Sequence, residues 1–233
     1  CREIVLTGVH AGSYFIAPDL DLGRLMERII LETGIPRIRL SSLEPWNMQP
    51  HWTDLWERYP ERLCRHLHMS LQSGSNTVLR RMQRAYQAED YAAKVQELRK
   101  RIPLLAITTD IIVGFPGETR EEHEESMRFV RDMDFAGAHI FTFSPRPGTV
   151  ATGMPGQHSS ETKKSRLHAM KKITDASSQT FRTSMVTHDL PVLWEGRKEE
   201  DPNLISGLTD NPLRVKTRGN PGLSNPITRT IIN

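Results

Sequence analysis

The place where this chain could do chemistry is an apolar, β-branched run that stops at Gly114-Phe-Pro-Gly117 and opens at once onto an acidic helical pattern. In AITTDIIVGFPGE, residues 106–118, a strand, a tight turn and a helix N-terminus follow one another, the arrangement at which α/β proteins hold ligands. Gly114 and Gly117 would let main chain approach a bound molecule without Cβ obstruction, and Pro116 sets φ between them. Strand-to-helix loops also take glycine for geometry alone, so the turn by itself leaves both readings open. Asp110 either reaches a ligand or caps a turn or pairs with an arginine. His66 and His68 stand two apart on a strand pattern and share a face, a spacing compatible with a metal pair, but no third ligand is in view. Arg146, between two prolines, is either a phosphate contact or a rigid surface residue.

These groups need elements to position them. Strand patterns cover residues 3–8, 37–41, 66–72, 106–114 and 138–144. Between them residues 21–33 place Leu22, Leu25, Met26, Ile29 and Ile30 on one helix face, with Gly34 expected as the C-terminal cap. Further helices are expected from Ser75, over 88–101, over 121–132 and over 161–185, the last carrying Leu167, Met170, Ile173, Phe181 and Met185 as core residues. Repeated βα units favour parallel strands with right-handed crossovers, an open sheet or a full or partial barrel, with ligands at the strand C-termini. Each of the five strand ends is polar or rich in glycine. After residue 185 the helical period stops, and 191–195 and 212–217 read as short strands between Gly, Asn, Asp and Pro turns, a small all-β module.

A chain of 233 residues with 37% apolar content can bury one substantial core and a small appended module. No apolar run approaches a membrane span, no signal peptide is expected, and the chain reads as a fragment that begins inside a strand pattern. The two cysteines, Cys1 and Cys64, lack metal-ligand spacing and point to a reducing compartment, the cytoplasm. Charge is uneven: residues 62–101 carry nine Lys/Arg against three acids and 144–185 seven against two, whereas 118–134 hold three Arg against seven acids. Each basic zone is either a solvated helix face or a footprint for RNA phosphate.

Five ordered motifs carry a resemblance that covers nearly the whole chain: EIVLTGVH (3–10), RIRLSSLEP (37–45), HLHMSLQSGS (66–75), TTDIIVGFPGET (108–119) and FSPRPGT (143–149). The chain resembles the radical S-adenosylmethionine methylthiotransferases, and LTGVH with RLSSLEP looks like the branch acting on N6-threonylcarbamoyladenosine in tRNA. The resemblance implies a partial (β/α) radical-SAM-type barrel with parallel strands over residues 1–185. A small β module resembling a TRAM domain would follow over 186–233. It also implies S-adenosylmethionine as cofactor, tRNA as partner, and two 4Fe-4S clusters in full-length members. The family's CxxxCxxC loop, which would precede Glu3, is absent from this chain, so no catalytic or metal-ligating residue is assigned and the chain alone is expected to be inactive.

By the same resemblance Gly8, Ser42, Gln72, Ser73, Asp110, Val113, Gly114, Phe141 and Phe143 cradle the cofactor. Arg81 and Arg84, three apart on the helix from Ser75, are expected to face the rim together, with Arg84 serving catalysis or cofactor binding. Lys163, Lys164, Lys171 and Lys172 on the last helix would hold tRNA phosphates. Ser70 departs from the family's usual Pro before Leu-Gln-Ser-Gly-Ser, Phe15 and Ala85 depart elsewhere, and none removes an obvious chemical group. The alternatives are a sister branch acting on isopentenyladenosine tRNA or a ribosomal protein, a non-catalytic RNA-binding piece, or a barrel enzyme for a phosphorylated metabolite. No Walker-type or dinucleotide fingerprint supports the last.

Overall fold

The structure, a computed structural model, describes residues 1–8, 10–15, 17, 20–198, 201–218 and 226–233. Val9 of the first motif and residues 199–200 and 219–225 of the expected β module lie outside the described residues. In chain order the elements are β1 (Glu3–Leu6), α1 (Leu22–Glu32), β2 (Arg37–Leu40), β3 (Ser42–Leu43), α2 (Pro50–Arg58), β4 (His66–Met69), α3 (Asn76–Arg81), α4 (Ala88–Arg101), β5 (Ala106–Val113), α5 (Arg120–Met133), β6 (Gly137–Thr142), α6 (Ser160–Ser184), β7 (Asp189–Lys198), β8 (Asp201–Thr209), β9 (Arg214–Arg218) and β10 (Ile227–Ile231). Two compact units result, residues 1–68, 98–106 and 182–233 in one and 69–97 and 107–181 in the other.

In the first unit β1 and β2 pair in parallel, Glu3 opposite Arg37 through Leu6 opposite Leu40, with α1 as the crossover. The Asp21 carboxylate caps α1 by accepting the Arg24 N–H at 2.8 Å and also receives the Trp52 indole N–H at 2.9 Å. Gly34 does not end this helix as expected. Thr33 is extended there, and both its N–H, at 3.2 Å, and its hydroxyl, at 2.6 Å, donate to the Ile29 carbonyl, so the chain leaves the helix at Thr33. Helix α2 was not anticipated, although Pro50 at its first turn is a start signal; it buries Trp52, Leu55 and Trp56.

The two strand pieces expected after residue 185 are four strands, in antiparallel order β10-β7-β8-β9 over a core of Val192, Trp194 and Ile205. Strand β8 escaped sequence reading because Pro202, Asn203 and Gly207 break its pattern, and pairing on both edges overrides that local preference.

In the second unit β5 and β6 are parallel, from Thr108 opposite Gly137 to Val113 opposite Thr142, and α5 is the crossover. Thr119 and Glu122 close a capping box at the start of α5. Residues 70–72 run alongside β5: the Gln72 N–H donates to the Asp110 carbonyl and the Ile112 N–H to the Gln72 carbonyl, both at 2.8 Å. The buried Thr109 hydroxyl ties the same segment down, donating to the Met69 carbonyl at 2.8 Å and accepting the Leu71 N–H at 3.0 Å. On α6 the expected core stripe is split, with Met170 and Met185 buried and Leu167, Ile173 and Phe181 half-buried. The strand pairs described before residue 145 are parallel and those after 185 antiparallel, so the α/β class with an all-β sheet is what the chain forms.

Candidate functional site

Strand β5 alternates. Thr109, Ile111 and Val113 are buried on one side, and Thr108, Asp110 and Ile112 are half-buried on the other. The parallel register sets Asp110 beside His139 and Ile112 beside Phe141, and both β6 side chains are exposed with ring centroids 6.5 Å apart. The Ser70 hydroxyl donates to Asp110 Oδ2 at 3.1 Å. One face of this unit thus presents a carboxylate with its supporting hydroxyl, an imidazole and an exposed aromatic ring. The carboxylate of such a face accepts hydrogen bonds from an ammonium or ribose diol, and the ring offers a stacking surface to a purine. Ser70 and His139 were not picked out from sequence. The signals were there, a hydroxyl at a departure from the family pattern and a histidine two residues before Phe141.

The glycine turn is packed against the protein's own side chains. Gly114 and Gly117 take left-handed φ values of 70° and 71°, but the protein itself fills the space they leave. A Cβ on Gly114 would lie 2.7 Å from Lys163 Cγ, and one on Gly117 2.9 Å from Arg81 Nη1. The Gly117 N–H donates to the Gly156 carbonyl at 2.9 Å. Beneath the turn the buried Glu118 carboxylate accepts the Gly114 N–H at 2.7 Å and Arg166 Nη1 at 2.5 Å. Burial pushes the Glu118 carboxyl above its ordinary range, against the opposing pull of the Gly114 N–H and Arg166. At Gly114 the space a side chain would take is thus occupied by Lys163, and the Gly114 N–H is held by Glu118.

The other residues expected at the cofactor stand as follows. Val113 is buried and its carbonyl accepts the Phe143 N–H at 2.9 Å. Phe143 packs edge-on against Phe115 at 5.2 Å, with Lys163 Nζ 5.4 Å above its ring. Ser73 is buried and its hydroxyl accepts the Ser75 N–H at 3.2 Å. Gly8 and Ser42 are exposed residues of the first unit. Gln72, in left-handed conformation at φ 67°, keeps its main chain in the sheet and its side chain half-buried.

The basic residues also need correction. Arg84 is not on α3: Gln83 turns left-handed at φ 57°, and the Gln83 and Arg84 N–H groups bond back to Arg80 and Leu79, which ends the helix before Arg84. Arg81 cannot share a helix face with it, and instead pairs with Glu122 and donates to the Pro116 carbonyl at 3.4 Å. Lys163 is half-buried against the turn, leaving Lys164, Lys171 and Lys172 as the exposed lysines of α6 among the four expected. Arg146 is exposed, and its carbonyl collects the Thr149 N–H and the hydroxyls of Thr149 and Thr152.

The thiols do not fit an iron-sulfur cluster. Cys1 is exposed, Cys64 is buried with its thiol pushed up by that burial, and no group of three or more His, Cys, Asp or Glu among the described residues could hold a metal. His66 is pushed down to about 3, first by burial and then by the charges of Arg39 and His68, and is neutral at physiological pH. Among the described residues no helix is long and apolar enough to cross a membrane.

The profile of the radical SAM superfamily matches residues 1–130. A threonylcarbamoyladenosine tRNA methylthiotransferase of Bacillus subtilis is 34% identical over 99% of this chain and 52% of its own length. One of Thermotoga maritima is 41% identical over 83% of this chain and 44% of its own. A tRNA-2-methylthio-N(6)-dimethylallyladenosine synthase of Moorella thermoacetica is 34% identical over 97% and 51%. The chain spans about half the length of these curated relatives. Among solved structures, coproporphyrinogen III oxidase of Escherichia coli, described as a radical SAM enzyme, matches with a TM-score of 0.54 at 14% identity over 81% of this chain and 50% of that one, a likeness of fold.

Proposed function

Since this chain belongs to the radical SAM superfamily, we propose that it is part of an S-adenosylmethionine-dependent tRNA methylthiotransferase acting at adenine C2 of N6-threonylcarbamoyladenosine, next to the anticodon. The observation that carries the cofactor half of this reading is the sheet face of Asp110, Ser70, His139 and Phe141. Asp110 accepts hydrogen bonds from the ribose or the ammonium group, Ser70 fixes the orientation of its carboxylate, and Phe141 covers the purine. When bound, S-adenosylmethionine supplies the methyl group and the deoxyadenosyl group that activates an unreactive C–H bond. The tRNA half is supported by the names of the relatives, and the two methylthiotransferases that act on threonylcarbamoyladenosine favour that nucleoside over the dimethylallyl one of the sister branch. The test is mass spectrometry of tRNA nucleosides from cells lacking the full-length gene. Loss of 2-methylthio-N6-threonylcarbamoyladenosine alone is expected; loss of the dimethylallyl counterpart would move the protein to the sister branch, and an unchanged profile would remove tRNA as substrate.

On this reading the cluster thiolates come from the remainder of a longer polypeptide, and the 233 residues alone are catalytically incompetent. Anaerobic reconstitution of this chain is expected to give no cysteine-dependent cluster absorbance; a stoichiometric one would overturn the assignment.

The antiparallel sheet is read as a TRAM-like RNA-holding module, since β9 alternates with Arg214, Lys216 and Arg218 exposed. Lys164, Lys171 and Lys172 form a second cationic zone on α6. A tRNA substrate places the protein in the cytoplasm. Changing those three lysines to Ala in the full-length enzyme is expected to weaken tRNA binding and to lower the slope of log affinity against log salt by up to about three contacts. An unaltered slope would make this zone a solvated helix face.

A further inference from the structure

The RIRL motif of β2 contributes nothing to the sheet face described above. Strand alternation sends Arg37 and Arg39 to one side and Ile38 and Leu40 to the other, and all four are buried. A strand rarely buries two adjacent guanidiniums on one face, because each must find a partner for its fixed fork of donors. Here both do. Arg37 pairs through Nε with Glu3 and donates to the carbonyls of Pro191 at 3.2 Å and Leu208 at 3.1 Å. Arg39 reaches Glu3 Oε1 at 3.1 Å and the carbonyls of Asp210 and Thr209 at 3.0 and 3.1 Å. Arg65 closes the cluster with two bonds to the Asp210 carboxylate at 2.5 and 3.0 Å. Burial alone would raise Glu3; the bonds and charges of Arg39 and Arg37 outweigh it and hold its carboxyl below the ordinary range.

Every carbonyl in this cluster belongs to β7, to β8 or to the residue after β8. Every group that reaches them comes from β2, and the Glu3 that braces both arginines comes from β1. The bonds run in several directions from two planar groups, so they fix orientation as well as distance. A lysine, with one ammonium, could keep the charge but not the fork.

We propose that Arg37 and Arg39 are positioning residues that clamp the four-stranded antiparallel sheet onto the β1–β2 pair in one orientation, so that the exposed cations of β9 meet RNA at a fixed place. The second half rests on the reading of this sheet as an RNA-holding module.

The test uses the full-length protein in four forms: wild type, Arg39→Lys, Glu3→Gln, and the triple change Arg214→Ala, Lys216→Ala and Arg218→Ala. Amide hydrogen exchange over residues 189–193 and 204–209, tRNA affinity across a salt series and S-adenosylmethionine affinity are measured on each. Arg39→Lys is expected to speed exchange in both segments and to weaken tRNA binding, each by about tenfold, with the salt slope and S-adenosylmethionine affinity unchanged because no RNA-facing cation is lost. The triple change is expected to weaken tRNA binding and to lower the slope. Glu3→Gln, close in shape to the original and stripping both arginines of their shared carboxylate, gives the same readings as Arg39→Lys should that variant not fold. Exchange that stays at the wild-type rate in both clamp variants overturns the clamp. Faster exchange with wild-type tRNA affinity, while the β9 change weakens binding, overturns positioning. If the β9 change leaves tRNA affinity intact, the RNA-holding reading of the sheet fails, and the clamp stands or falls on the exchange rates alone.

Discussion

Replacing Arg166 by Met is expected to destabilise the protein by about 3–5 kcal/mol near neutral pH, since it strands a buried carboxylate. Arg166 is nearly buried and Glu118 fully so, and the guanidinium also donates to the Glu118 carbonyl at 2.9 Å. The sign of the pH dependence follows from the raised Glu118 carboxyl. A carboxyl whose folded value lies above its ordinary 4.5 contributes stability that is complete below that value and is lost as pH rises through the folded one. Without Arg166 the rise is larger, so the deficit against wild type should be small at pH 5 and full at pH 7.5. Urea unfolding at the two pH values checks this; an equal deficit at both would mean that the carboxylate is not what the arginine neutralises. Glu118→Gln, which keeps an acceptor for the Gly114 N–H, should cost less than Arg166→Met. The pair holds the turn that ends β5 through the Gly114 N–H, which Glu118 accepts.

The second large effect is expected at Asp110. In the full-length enzyme Asp110→Ala should weaken S-adenosylmethionine binding by about ten- to a hundredfold, the range for hydrogen bonds to a charged group. Ser70→Ala, which removes only the group that orients the carboxylate, should cost a few-fold. Equilibrium binding measured on folded variants decides it. Wild-type affinity in both would return Asp110 and Ser70 to the service of the sheet, where Ser70 already bonds Asp110 at 3.1 Å.

The contrast between Asp110 and Gly114 also marks how far the sequence could be read. Before residue 145 the sequence by itself determined the alternation of strands and helices except for α2, because apolar period and capping residues are local signals: α4 runs over the expected 88–101, and α5 has the expected kind of acidic helix start. Alternation along β5 likewise made Asp110 legible as a residue facing away from Ile111. What stood beside it was not legible, since register joins Asp110 to His139 only when two strands far apart in sequence pair. The glycines of the turn were read either as letting main chain approach a bound molecule or as needed for loop geometry alone, and both take left-handed φ. Only the tertiary structure decided that Lys163 and Arg81 fill the space they leave, because a glycine's neighbours are set by packing of distant elements. Arg81 and Arg84 failed as a pair for a smaller reason, a left-handed Gln83 that no glycine announced. Arg37 and Arg39 passed in sequence for ordinary members of a strand. Their clamp exists only because β2 buries them against carbonyls more than 150 residues along the chain, a long-range match that no local pattern encodes.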